Sequence, residues 1–97
     1  MPAGRKRDPL SIERRAYARH HAQARFRNEE WAFTWDIWWE MWRPMWHMRG
    51  RDQNEWCMAR YDPDLPWSEH NTVIINRRDW LHEMVRMGGQ FSKWRDR

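Results

Sequence analysis

The chain has 97 residues, a formal net charge of +4 and a single cysteine. That length fits one domain with a small core, since a chain of this size buries only about 60–65% of its unfolded surface. An internal disulfide and a cysteine-rich zinc site are excluded, and no apolar run reaches the roughly 18 residues that a membrane span needs.

A mean hydropathy of −1.23 beside 40% hydrophobic residues describes an aromatic interior inside a charged shell, not a disordered chain. Charge is unevenly spread. Residues 1–27 carry eight cations, Arg5, Lys6, Arg7, Arg14, Arg15, Arg19, Arg25 and Arg27, against only Asp8 and Glu13. The remaining 70 residues hold ten cations against twelve carboxylates. Sixteen of the eighteen cations are arginine, whose planar guanidinium suits phosphate and carboxylate contacts and stacking on rings. The basic segment lacks the apolar run of a secretory signal, and the lone thiol fits a reducing setting, so a cytoplasmic location is expected.

Residues 1–8 read as a disordered basic arm, and 9–97 as a single small domain. Asp8-Pro9 reads as a helix start, with Asp8 as N-cap and Pro9 at the first helical position. An alanine- and arginine-rich helix follows to about Arg27. Its apolar stripe (Leu10, Ala16, Tyr17, Ala24, Phe26) is thin, with Tyr17 and Phe26 as its anchors. His20 and His21 are adjacent, cannot both face one metal, and are expected in solvent.

Residues 28–33 form a connection. Thr34 is a fitting N-cap, with Phe33 packing on Trp38 as a hydrophobic staple. The second helix runs from Trp35 to Arg43, where Pro44 limits the residue before it. Trp31, Trp35, Trp38, Trp42 and Trp46 recur at steps of 4, 3, 4 and 4, the spacing of one helical face. Asp36, Glu40 and Arg43 lie opposite. Trp35, Trp38 and Trp42 are assigned to the core. Ten tryptophans exceed what so small a core hides, so Trp39, Trp46, Trp67 and Trp94 are expected to stay partly exposed as protein-interface candidates.

Met45–Met48 allows one more helical turn, and residues 49–54 a polar loop. A strand over 55–61 precedes a doubly proline-interrupted segment, and the β-branched run Thr72–Asn76 is the second strand. Asn76 caps a last helix from Arg77 to about Met87, closed by Gly88-Gly89. The fold class is therefore α+β: a basic N-terminal helix, a Trp-rich helix, a two-stranded β unit and a C-terminal helix.

The segments Arg49-Gly-Arg, Cys57-Met-Ala-Arg-Tyr-Asp62, Leu65-Pro-Trp-Ser and Asn71-Thr-Val-Ile-Ile, with Phe33-Thr34-Trp35 upstream, resemble small phage-encoded proteins related to HNH endonucleases. The resemblance implies a ββα unit in which Asn71 braces the loop between the strands. In such enzymes a histidine activates water and a divalent metal neutralises the phosphate. Here Arg60, Tyr61 and Asp62 stand where the first histidine belongs, and Trp80 stands nine residues after Asn71, at the late position.

The catalytic histidine positions are thus not retained, and no metal ligands or cofactor are assigned. Asp62, His70 and Asn71 are the residues a residual nuclease would use, with Mg²⁺ its only cofactor. The function expected is non-catalytic nucleic-acid binding (DNA or RNA) through Arg5, Lys6, Arg7, Arg14, Arg15, Arg19, Arg25 and Arg27. The alternative is a phage-type inhibitor docking on an acidic host protein such as a polymerase or defence nuclease. In either case the tryptophan face closes within a monomer or across a homodimer.

Overall fold

In a computed structural model, residues 8–86 are described, with the backbone alone for 84–86. Helix α1 spans Ser11–Phe26 and α2 spans Trp35–Trp42; strands β1 (Trp56–Arg60) and β2 (Thr72–Asn76) lead into α3 (Arg77–Arg86). The architecture is α+β, and among the described residues no helix is long and apolar enough to cross a membrane. The arm at residues 1–7, Gly88-Gly89 and Trp94 lie outside the described residues.

Helix α1 begins later than the Asp8-Pro9 pair predicts. The Asp8 side chain accepts from the Leu10 amide at 3.0 Å, and its carbonyl accepts from the Ser11 amide at 3.1 Å. Asp8 thus closes a tight turn two residues ahead instead of capping a helix, and Leu10 takes the cap position without a side-chain bond. The other end is well made. Asn28 adopts a left-handed φ of 59°, its amide bonds the Arg25 carbonyl, and the Glu29 amide bonds the Ala24 carbonyl at 2.8 Å. This paired pattern terminates a helix sharply, and asparagine tolerates the left-handed residue it needs.

Thr34 caps α2 as its sequence predicts, accepting from the Ile37 amide at 3.4 Å. α2 ends at Trp42, and Pro44 sits at the start of a 3-10 turn over Arg43–Met48. The five regularly spaced tryptophans therefore do not share one α-helix. Trp31 lies outside it in an isolated bridge with Trp67, fixed by Trp67 N–H to Glu30 O and Ala32 N–H to Trp67 O. Trp46 belongs to the 3-10 turn.

The core joins Ala16, Ala24, Phe33, Trp38, Trp42 and Trp67. Small residues on α1 leave room for the indoles of the facing elements. Trp38 and Trp42 are fully buried, whereas Trp35, Trp39 and Trp46 are half-buried. Two expectations fail here. Trp67, expected at the surface, is 7% exposed because its bridge to Trp31 draws it inward, and Phe26, expected as an anchor, is 89% exposed. Phe26 closes α1 just before the chain reverses, and no neighbour among the described residues covers it.

β1 and β2 pair antiparallel, with Met58 opposite Ile74 and Ala59 opposite Val73. Two strands alone are marginal in water. Trp56, Met58 and Ile74 pack on the aromatic core and supply the missing support. Asn76 Oδ1 accepts from the Arg78 amide at 2.9 Å, starting α3 directly after β2.

Candidate functional site

A buried asparagine braces the loop joining β1 to β2. Asn71, 4% exposed, accepts from the Asp62 amide at 3.0 Å through Oδ1. Its Nδ2 donates to the carbonyls of Asp62, Leu65 and Pro66 at 2.9, 3.3 and 3.0 Å. The Leu65 amide also bonds the Asp62 carbonyl at 3.2 Å, but a loop interrupted by two prolines has few further amides to offer, and a primary amide supplies both a donor and an acceptor.

The same loop fixes Arg60. Its Nη1 donates to Pro63 O at 2.7 Å and Leu65 O at 3.0 Å, and its Nη2 donates to Glu29 Oε2 at 2.9 Å. Glu29 Oε1 accepts from Trp67 Nε1 at 3.0 Å. The left-handed turn at Asn28 delivers Glu29 to this position. Both partners are mostly buried, with side chains 11% and 17% exposed, so the pair ties the end of α1 to the β unit.

Between α1, the Arg49–Arg51 loop, β1 and α3 lies a cavity of about 430 Å³. Among the described residues, six arginines line it, Arg19, Arg27, Arg49, Arg51, Arg60 and Arg77, and Glu29 is the only carboxylate. Glu29 is taken up by Arg60 and stands 4.0 Å from Arg27. Among the described residues, no carboxylate lies within ion-pair distance of Arg19, Arg49, Arg51 or Arg77.

Arg49 is the centre of this charge. Its guanidinium lies over the rings of Trp38, Trp42 and Trp46 at 5.8, 5.3 and 5.4 Å. Burial, then repulsion from Arg19, Arg51 and Arg77, lowers its pKa from the usual arginine value. Arg77 donates through Nη2 to Gly50 O at 3.1 Å, but its buried Nε has no acceptor. Trp42, another lining residue, likewise has a buried Nε1 without an acceptor.

His20 contradicts the solvated assignment. It sits on the inward face of α1, in line with Ala16 and Ala24, with Trp38 Nε1 donating to its Nδ1 at 3.1 Å and the Trp67 ring edge-on at 4.5 Å. Burial foremost, then Arg49, Arg27 and His21, lowers its pKa to about 3. An indole N–H only donates, so Nδ1 accepts and the neutral ring carries its proton on Nε2. His21 stacks on Trp31 instead. Cys57 also lines the cavity, and burial raises its thiol pKa in spite of Arg77 and Arg49.

No protein-family model, no curated protein and no solved structure matches this chain. The function of the site is therefore argued from its own residues.

Of the arginines singled out in the sequence, the structure brings Arg19 and Arg27 to the cleft. Arg15 and Arg25 are exposed on α1. Arg14 is engaged, paired with Asp8 at 2.7 Å and lying 4.6 Å over the Trp35 ring. Arg5, Lys6 and Arg7 lie outside the described residues. Asp62 and Asn71 touch, but the Asn71 amide is consumed by the loop and the His70 side chain is 92% exposed, 3.8 Å from Glu69. Among the described residues, no three His, Cys, Asp or Glu side chains are grouped to hold a metal ion. The sequence reading missed Arg49, Arg51, Arg60 and Arg77 as a site. Their signal was slight, a lone Arg-Gly-Arg and two arginines more than ten positions apart.

Proposed function

We propose that the protein binds nucleic acid without catalysing a reaction on it, contacting phosphates through the arginines of α1 and the cleft beneath that helix. The observation that carries this reading is the convergence of Arg19 and Arg27 with Arg49, Arg51 and Arg77 on one cleft whose single carboxylate among the described residues is already engaged. Uncompensated guanidiniums at close quarters repel one another, and an anionic ligand relieves that cost. Arg15 and Arg25, exposed on the same helix, extend the positive surface beyond the cleft. Phosphate oxygens are the acceptors that match this geometry, and binding of this type falls steeply with salt.

A second reading, docking on an acidic protein, draws on Ile12 and Phe26, which are 69% and 89% exposed among the arginines of α1. Titration against labelled duplex DNA, single-stranded DNA and RNA at two salt concentrations separates the two. Nucleic-acid binding predicts salt-sensitive association that an Arg15→Ala, Arg19→Ala, Arg27→Ala triple variant weakens, with the log–log salt slope reduced by about 2–3. Absence of binding at low salt, or unchanged affinity in the triple variant, overturns the assignment.

A further inference from the structure

We propose that the cleft takes one nucleotide bearing a phosphomonoester, that is, the phosphorylated end of a single strand. This deepens the nucleic-acid reading above and rests on it. Three observations point to the occupant.

The first is a surplus of donors. Trp42 is 1% exposed and its Nε1 has no acceptor, and the Nε of Arg77 is buried in the same condition. Both residues line the cleft. Buried donors are ordinarily matched, so two unmatched ones in the walls of one cavity favour an acceptor-rich ligand. His20 adds an N–H, because its Nδ1 already accepts from Trp38.

Charge comes second. Arg19, Arg49, Arg51 and Arg77 face the cleft without carboxylate partners among the described residues. An internal phosphodiester brings one negative charge per nucleotide, whereas a monoester brings about 1.5–2 on one group with three acceptor oxygens. The dianion is the better match to clustered guanidiniums, which bind it in bidentate fashion.

Size and surface come third. A volume of about 430 Å³ lies near the lower end of small-ligand pockets, roughly 300–1,000 Å³, which suits one nucleotide and not a run of them. Beside the cations the lining includes Trp56 and Trp80, both half-buried. An indole face takes a stacked base with little sequence preference.

The test compares internally labelled single strands of one sequence carrying a 5′-phosphate, a 3′-phosphate or hydroxyls at both ends, with a nucleoside monophosphate as competitor. One phosphorylated strand is expected to bind about tenfold or more tightly than the hydroxyl-ended strand, the worth of one further charge-assisted contact. The arm that gains identifies the end recognised, and the monophosphate should compete. In Arg77→Gln the preference should fall to about one. Arg51→Gln, at an exposed loop position, should reduce it in the same direction and guards against loss of folding in the first variant. Equal affinity for phosphorylated and hydroxyl-ended strands overturns the end-binding inference and leaves nucleic-acid binding standing. Failure to bind any strand overturns both, and monophosphate binding without strand binding overturns the assignment of a strand end.

Discussion

Trp38 donates its indole N–H to Nδ1 of His20 across 3.1 Å, joining the α2 core to the inner face of α1. The bond requires a neutral imidazole. The His20 pKa of about 3 lies below its ordinary 6.5, so the unfolded chain takes up a proton that the folded chain refuses. The stabilisation is therefore complete above pH 6.5 and is lost as pH falls from 6.5 toward 3. Thermal melts between neutral pH and pH 4 should show a declining Tm, with a total effect on the order of a few kcal/mol. His20→Gln should flatten that decline, and an unchanged pH profile in the variant would assign the acid sensitivity elsewhere.

Asn71 is the second point of vulnerability. Asn71→Ala removes one acceptor and a donor to three carbonyls from a buried site, and should cost about 2–4 kcal/mol by chemical denaturation. Asn71→Asp keeps the shape but supplies no donor, so it should not rescue. Full stability in the aspartate variant would show that the carbonyl contacts contribute little.

Glu29 opposes stability to binding. Glu29→Ala leaves the largely buried Arg60 guanidinium without its counter-charge and Trp67 Nε1 without its acceptor, at a cost of about 3 kcal/mol. Glu29→Gln keeps an acceptor for the indole and should cost less. Removing this cleft carboxylate should also tighten nucleic-acid binding at low salt, and weaker binding by a folded Glu29→Gln would contradict the charge argument.

Phe26 should be dispensable for folding. At 89% exposure, Phe26→Ser is expected to change stability by no more than about 0.5 kcal/mol. A large loss measured in a melt would place Phe26 in an interface between copies of the chain.

Local chemistry made much of this fold legible from the residues. Thr34 before an apolar run, the β-branched segment at 72–76 and Asn76 ahead of α3 each act through neighbouring backbone, so their effect is written in adjacent positions. Asn71 could be anticipated as a loop brace, although its three carbonyl partners depend on the path of the loop.

Regular spacing proved less reliable. Trp31 keeps the helical period of its neighbours yet pairs with Trp67, because backbone bonding to a segment 36 positions away outweighs local periodicity. His20 was read as polar and solvated, since nothing beside it in the sequence shows that Trp38 will supply a donor.

The α+β class, the aromatic core and the excess of arginine follow from residue type and short-range pattern, and so were legible along the chain. Which arginines share a cavity was settled by packing between distant segments. Arg19, Arg49, Arg51 and Arg77 come from α1, a loop and α3, and folding sets them around one cavity where their mutual repulsion has no local remedy. Electrostatic energy depends on distance in space, and chain position does not encode that distance.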